Sequence, residues 1–205
     1  MELLQALVTR FTVAVSNVPE PTTDDAVHDA VVLARAKASA IASEPAYGRA
    51  IVIGADTIVH DGTRAYGKPA DVTDAFAMLQ ALRGRTHQVV TGVAVVTRNR
   101  SVTAHSLSAV TLSDLTDAEV AAYVASGRPA DKAGAYAIQD EDVPTVSHLT
   151  GCYCGVMGLP LWKLRELLLS CDVDCASPET TFSRCGDCPE RPAVRIPRKS
   201  ATIRQ

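Results

Sequence analysis

The sequence lacks several features that would place a protein in a specialised class. No stretch of its 205 residues approaches the roughly 20 apolar residues of a membrane span, and the N-terminus shows no signal-peptide pattern. The formal net charge is only −3, so no general basic field attracts nucleic acid. No internal repeat is present. We therefore expect a cytoplasmic protein that uses neither a membrane nor a nucleic acid as a partner.

The composition is typical of a globular domain with a real core. Apolar residues make up 47% of the chain and charged residues 21%. Segments with strand and helix patterns alternate, which predicts an α/β fold with a mixed twisted sheet and flanking helices. From residue 171 onward the composition shifts to Cys, Pro and Arg. We therefore predict one domain over residues 1–170, followed by a flexible tail over 171–205.

Local signals predict the individual elements. Asp24 or Asp25 caps a helix that runs to Ala42, and Thr116 with Glu119 has the spacing of a capping box. The other predicted elements are a short strand over Phe11–Val15, a helix over Ala75–Leu82 capped by Asp71 or Thr73, β-structure over Gln88–Thr97 and Val102–Leu112 with a turn at Arg98–Arg100, and a helix over Leu159–Leu169.

Ile51 to Pro69 is the segment with the strongest sign of chemistry. It reads as an Ile/Val strand that carries one acid, Asp56, and it ends in a Gly-Lys-Pro that contains Lys68. Burying a carboxylate requires compensation by a metal ion, a lysine or a bound polyanion. Divalent cations prefer carboxylate oxygens and a lysine neutralises phosphate, so the pair suits triphosphate chemistry. The alternative is an ordinary acid that caps a turn at a strand end.

Three further side chains are weaker candidates when taken alone. His87 precedes a strand and is either a base or a structural histidine. Lys132 precedes a turn of small residues, where the backbone can approach a ligand. Lys37, on the first long helix, would ordinarily be a solvated residue.

The six cysteines allow a metal site near the C-terminus. Cys171, Cys175, Cys185 and Cys188 form two short-spaced pairs, the arrangement that a tetrahedral zinc ion requires. Such a site would make the tail a zinc-dependent interaction module, and the alternative is free thiols. Cys152 and Cys154, in contrast, are expected to be small buried residues of the core.

Five motifs occur in an order that resembles one family. GADTIV, then GKP, LRGRTHQVVTGVAVV, DKAGAYAIQ and GLPL are together similar to the Maf family over about residues 2–170. The family consists of nucleoside triphosphate pyrophosphatases, and its fold is similar to that of the inosine triphosphate pyrophosphatases, with two lobes around a cleft. The likeness therefore implies hydrolysis of a nucleoside triphosphate to a monophosphate and pyrophosphate.

The resemblance also implies roles for individual residues. Asp56 matches the catalytic base, and Asp56 with Glu20 would hold Mg²⁺ or Mn²⁺. Thr57 and Gln139 match the pair associated with base choice and resemble the subgroup that acts on dTTP and UTP. The remaining substrate-binding positions are Lys37, Lys68 and Lys132, and the likeness suggests a homodimer.

One segment of the family pattern is missing. Family members open with a strand and a Ser-x-Ser-Pro-Arg-Arg loop, whereas this chain has only Met1 before Glu2. Either the translation start lies further upstream, or the chain is a truncated, inactive descendant that binds a nucleotide or a protein. In both cases we expect the sequence as it stands to leave a sheet edge open.

Overall fold

The computed structural model describes residues 2–20, 23–140 and 142–193. The helices are α1 (Glu2–Gln5), α2 (Ala26–Ala42), α3 (Val72–Leu82), α4 (Asp117–Ala125), α5 (Tyr153–Val156) and α6 (Leu161–Ser170). The strands are β1 (Val52–His60), β2 (Ala65–Tyr66), β3 (Thr86–Val96), β4 (Ser101–Leu112) and β5 (Val146–Thr150). Short 3₁₀ turns cover Arg128–Asp131, Ala133–Ala135, Pro178–Thr180 and Ser183–Cys185.

The five strands form one sheet in the order β2-β1-β3-β4-β5. The α/β class with flanking helices is therefore confirmed. The sheet differs from the expected mixed arrangement in that all four described pairings are antiparallel. Alternating strands and helices suggest parallel pairing, but here β3 and β4 are joined by a tight turn, and the two strands that α3 connects, β2 and β3, run in the same direction but pair with β1 between them and not with each other.

Local capping signals place the helix starts as predicted. The Asp25 side chain accepts a hydrogen bond from His28 N at 2.9 Å, and Asp71 caps α3 in the same way. The capping box of α4 is present, with Thr116 N donating to Glu119 Oε2 at 2.7 Å. These contacts satisfy the free N–H groups of the first helical turn.

The strand predicted over Phe11–Val15 is wrong. The structure gives this segment no regular secondary structure, and Val13 and Val15 are 62% and 81% exposed. The alternation of apolar residues predicts a strand with one buried face, but the segment pairs with no strand in the described part of the chain. Without a ladder, alternation by itself does not make a strand.

Two glycines let α2 lie directly against the sheet. Gly54 on β1 and Gly92 on β3 face the α2 backbone, and a Cβ added at either would meet a carbonyl oxygen of α2 (Ala34 or Ala30) at 2.2 Å. Any side chain at these positions would therefore push the helix away. This close approach carries Lys37 of α2 toward the middle of β1.

The core divides into two main clusters. One packs α3 and α4 against the sheet around Leu79 and Tyr123. The other packs α1 and α6 against it around Val93 and Leu164. Continuous strands run through both clusters, so the two lobes share one sheet. No helix in the described ranges has the length and apolarity that crossing a bilayer requires.

The predicted flexible tail is corrected for residues 171–193. Pro178, Cys185 and Cys188 are buried, and both cysteines belong to the α1–α6 cluster. Trp162 Nε1 of α6 donates a hydrogen bond to Cys185 O at 2.9 Å. This part of the tail therefore extends the core, because its apolar side chains pack on α6. Residues 194–205 lie outside the described residues.

The contact at Gly54 makes a direct stability prediction. We expect Gly54→Ala to lower the free energy of unfolding by about 1–3 kcal/mol, because the added methyl group overlaps the α2 backbone. Gly48→Ala is the matched control, since an added Cβ there would come no closer than 3.9 Å to its nearest neighbour, Pro45 O. Urea unfolding of both variants tests this, and equal midpoints would contradict the packing described here.

Candidate active site

A cleft of about 390 Å³ opens beside the middle of β1. Its walls come from β1, α2, the β2 turn and the segment 131–139. All seven residues predicted to bind substrate or to catalyse line it: Glu20, Lys37, Asp56, Thr57, Lys68, Lys132 and Gln139. Residues that are up to 119 positions apart in sequence therefore converge on one site.

A buried charge network forms the floor of the cleft. Lys37 Nζ lies 2.6 Å from Asp56 Oδ1 and 2.5 Å from Glu20 Oε1, so one ammonium bridges two carboxylates. The Asp56 side chain is only 9% exposed, whereas Glu20 is 56% exposed at the rim. Within the described part of the chain no hydrogen bond reaches Asp56 Oδ2. That oxygen is therefore available to a water molecule or a ligand.

Burial sets the proton affinity of this network. Desolvation raises the pKa of Asp56 above its ordinary value, and the hydrogen bond and charge of Lys37 oppose part of that rise. For Lys37, burial is the largest effect and lowers the pKa, but the carboxylates of Asp56 and Glu20 together outweigh it and raise the pKa. The ammonium thus stays charged, while Asp56 accepts a proton more readily than a surface aspartate does.

Two more lysines lie on the opposite wall. The Gly134 N–H donates to Gly67 O at 3.0 Å, which ties the segment with Lys132 to the turn with Lys68. Lys132 pairs with Asp131, another residue of the cleft. Lys68 is exposed and forms no ion pair with any described residue. Its charge is therefore free to meet an anion.

The cleft reaches both faces of β1 across an open edge. Asp56 and Thr57 are consecutive in the strand, so their side chains point to opposite faces of the sheet. On its outer edge β1 pairs with β2 only at Val59 and His60, and no other described strand covers that edge. The open edge lets one ligand contact both Asp56 and Thr57.

Thr91 is a site residue that the sequence did not reveal. Its Oγ1 donates to Gly155 O at 2.7 Å and lies 2.9 Å from Thr57 Oγ1, with which it is paired across β1 and β3. A hydroxyl has one proton, and the Gly155 carbonyl can only accept. Thr57 must therefore donate to Thr91, so its hydroxyl offers only acceptor lone pairs to the cleft.

Tyr123 is a second such residue. Its hydroxyl donates to Asp140 Oδ2 at 2.6 Å and accepts from Ala137 N at 3.2 Å, so α4 holds the segment that carries Gln139. Burial, together with the hydrogen bond to Asp140, raises the pKa of Tyr123. The sequence placed Tyr123 in a helix but held no signal that its hydroxyl would reach residues 14 and 17 positions further on.

His87 is the structural histidine of the two alternatives. It is 2% exposed and does not line the cleft, and its Nε2 lies 2.7 Å from Tyr136 Oη. Burial lowers the pKa of His87 to about 4, so the ring is neutral at pH 7. It supports Tyr136, which does line the cleft.

The structure does not bring together the four cysteines predicted to bind zinc. Cys185 and Cys188 are buried, whereas Cys171 and Cys175 are partly exposed and belong to no cluster of three or more potential ligands among the described residues. Cys171 and Cys175 instead lie in the segment just after the end of α6. The close spacing of cysteines in sequence did not determine which of them would meet.

The acids of the cleft have the chemistry of a site for Mg²⁺ or Mn²⁺. Asp56 and Glu20 offer hard carboxylate oxygens on either side of the Lys37 ammonium. Small divalent cations in phosphate-handling sites are held by one or two carboxylates together with substrate oxygens. The donor set therefore fits such an ion.

Comparison with known proteins agrees with this geometry. The family described as Maf-like protein matches residues 1–171, which is most of the chain. The chain therefore belongs to the Maf family.

Two relatives of the chain carry the same functional name. A protein of Xanthomonas oryzae pv. oryzae is 47% identical over 172 residues, which cover 82% of this chain and 90% of the relative. One from Bacillus cytotoxicus is 41% identical over 167 residues, covering 81% of this chain and 87% of the relative. Both relatives are named dTTP/UTP pyrophosphatase.

The charge network predicts opposite titration shifts in two variants. We expect Lys37→Met to raise the pKa of Asp56 further, because it removes the main interaction that favours the carboxylate. Glu20→Gln should lower it, because the Glu20 charge contributes to the rise. Carboxyl ¹³C NMR titration of Asp56 measures both shifts, and shifts of the same sign would contradict the proposed network.

Proposed function

We propose that this protein hydrolyses nucleoside triphosphates to the monophosphate and pyrophosphate, with dTTP and UTP as its substrates. The observation that carries the proposal is the convergence of Asp56, three lysines and Thr57 with Gln139 on one cleft. Family membership and the names of the relatives support it. None of these observations favours an inactive descendant.

Asp56 is the residue suited to activating water. Its Oδ1 is held by Lys37, and its raised pKa makes the carboxylate a better proton acceptor than a surface aspartate. In the proposed reaction a water oxygen attacks the α-phosphorus while its proton passes to Asp56. The bond between the α-phosphorus and the bridging oxygen breaks, and pyrophosphate leaves with that bond's electron pair.

The lysines and a divalent cation offset the phosphate charge. Three lysines line the cleft, but Lys37 and Lys132 are already paired with acids, which leaves Lys68 unpaired among the described lining residues. A triphosphate brings several negative charges, so the lysines alone do not balance it. Mg²⁺ or Mn²⁺, held by Asp56, Glu20 and the phosphates, would supply further charge stabilisation. The protein's own part is to fix the phosphates from the Lys68 and Lys132 wall.

Thr57 explains a preference for uracil and thymine. Because its proton is committed to Thr91, Thr57 can only accept from a base. Uracil and thymine present an N3–H donor, whereas cytosine has an unprotonated acceptor nitrogen there. Gln139 offers both a donor and an acceptor to the uracil or thymine edge, and its amide N–H can donate to a neighbouring carbonyl group. Gly158, whose φ is +99°, leaves space beside Thr57, since an added Cβ would lie 3.4 Å from Thr57 Oγ1.

The assignment of Asp56 as the catalytic base is tested by removing its charge. We expect Asp56→Asn to reduce kcat for pyrophosphate release from dTTP by about 10²–10⁴-fold, because an amide cannot accept the proton of water. Asp117→Asn is the control, since Asp117 is exposed and pairs with Arg83 on α3's C-terminal side. A coupled pyrophosphate assay with Mg²⁺ provides the measurement. Activity in Asp56→Asn equal to that of the control would refute the role of Asp56.

The assignment of Thr57 to nucleobase selection is tested through Thr91, which lies behind the cleft wall. In Thr91→Val the Thr57 hydroxyl loses its acceptor partner and can donate to a ligand. We expect the ratio of kcat/KM for dTTP over dCTP to fall about 10-fold, the worth of one hydrogen bond. Thr86→Val breaks a matched cross-strand pair with Thr111 far from the cleft and should leave the ratio unchanged. An unaltered ratio in Thr91→Val would exclude this orientation of Thr57.

A further inference from the structure

Four buried cysteines from two distant segments meet beside α5. Cys152 and Cys154 flank the start of that helix, and Cys185 and Cys188 follow from the C-terminal segment. They are 1%, 2%, 1% and 9% exposed. The two remaining cysteines of the chain are partly exposed and lie apart from this group. The Maf-like reaction uses none of these thiols.

The four sulfur atoms form two close pairs. Cys154 Sγ lies 3.5 Å from Cys185 Sγ. The Sγ atoms of Cys152 and Cys188 and a carboxylate oxygen of Glu190 all lie within 4.8 Å of one another. The two pairs do not all lie within 4.8 Å of one another, so they would have to move closer together to share one ion. Zn–S bonds of about 2.3 Å in a tetrahedron put the sulfurs roughly 3.8 Å apart.

A second observation points to a cation. Glu190 Oε2 is buried and accepts no hydrogen bond from the described part of the chain. A buried carboxylate oxygen without a donor is costly, and the two thiols beside it are only weak donors. A metal ion among the sulfurs would supply the missing positive charge. Lys163 and Arg184, which act electrostatically on Cys188 and Cys154, would offset the charge of the thiolates.

Backbone contacts already orient one of the sulfurs. Gly155 N donates a hydrogen bond to Cys152 Sγ at 3.2 Å, so the backbone fixes the direction of this sulfur. The sequence spacings, Cys-x-Cys followed by Cys-x-x-Cys, also present each pair from one short turn. Isolated buried thiols would account for the burial of these residues but not for their convergence with an unpartnered carboxylate.

We propose that Cys152, Cys154, Cys185 and Cys188 bind one Zn²⁺ ion as four thiolates. Zinc prefers sulfur to carboxylate oxygen in closed structural sites, so Glu190 lies next to the ion without replacing a cysteine. This set keeps the second pair predicted from the sequence and exchanges the first pair for Cys152 and Cys154. The ion has a structural role and does not depend on the proposed reaction.

Such an ion would fasten the C-terminal segment to the wall of the cleft. The cleft is lined in part by Val156, Met157 and Gly158, which follow Cys154 and Gly155 in the sequence. Gly155 O is the acceptor that holds Thr91 and, through it, Thr57. Zinc at the cysteines would therefore steady the face of the cleft that carries Thr57.

The experiment begins with the unaltered full-length protein, purified without chelator. Metal analysis should find one zinc ion per chain, and zinc-edge X-ray absorption should show four sulfur neighbours at about 2.3 Å. Fewer than four sulfurs, or no zinc with six free thiols, would overturn the proposal. So would two disulfides, Cys154–Cys185 and Cys152–Cys188, which the intact mass measured without reductant would show.

Variants then identify the ligands. Cys152→Ser and Cys188→Ser should each lose at least 90% of the zinc, whereas Cys171→Ser and Cys175→Ser should retain it. Glu190→Gln should also retain it, and loss of zinc there would exclude the four-thiolate set. If the first two variants do not fold, cobalt substitution of the unaltered protein decides, because tetrahedral thiolate ligation has a distinct visible spectrum that other ligand sets lack.

Discussion

The Lys37 ammonium between Asp56 and Glu20 is the interaction on which the cleft depends. It makes a largely buried carboxylate tolerable in the middle of an Ile/Val strand, since an isolated charge there would instead be neutralised by protonation. Its geometry requires α2 to lie in backbone contact with β1 and β3. Gly54 and Gly92 permit that contact because neither has a side chain to hold the helix off. The packing of α2 on these two glycines therefore determines where the Lys37 ammonium lies.

The same sheet supplies the rest of the site through its register. Antiparallel pairing sets Asp56 against Gly92 and Thr57 against Thr91. At the first pair, Gly92 leaves space for α2 because it has no side chain. At the second pair, Thr91 orients the hydroxyl of Thr57. Because these neighbours alternate between the faces of β1, the cleft must lie across the strand's open edge. A ligand bound there can meet the charged network on one face and the hydroxyl on the other.

The wall opposite β1 is built from turns and is held by single polar contacts. Gly134 N to Gly67 O joins the two lysine-bearing segments, and the Tyr123 hydroxyl anchors the stretch before Gln139. Loops positioned in this way by a rigid sheet and helix are typical carriers of binding residues. The C-terminal segment adds a third support, because it packs on α6 next to the helix that leads into Gly158.

The sequence by itself determined the fold class and the helix starts, because caps act within a few residues, and it singled out Asp56, because a charged residue in an apolar strand stands out locally. Glu20, Thr57 and Gln139 carried no such local signal and were indicated only by the resemblance to the Maf family. Only the tertiary structure decided which partners these residues have. Thr91 looks like any strand threonine until the register pairs it with Thr57. Cys152 and Cys154 look like small core residues until the C-terminal segment folds back onto α5. Contacts of this kind join residues more than 30 positions apart, and the packing of strands and helices brings them together.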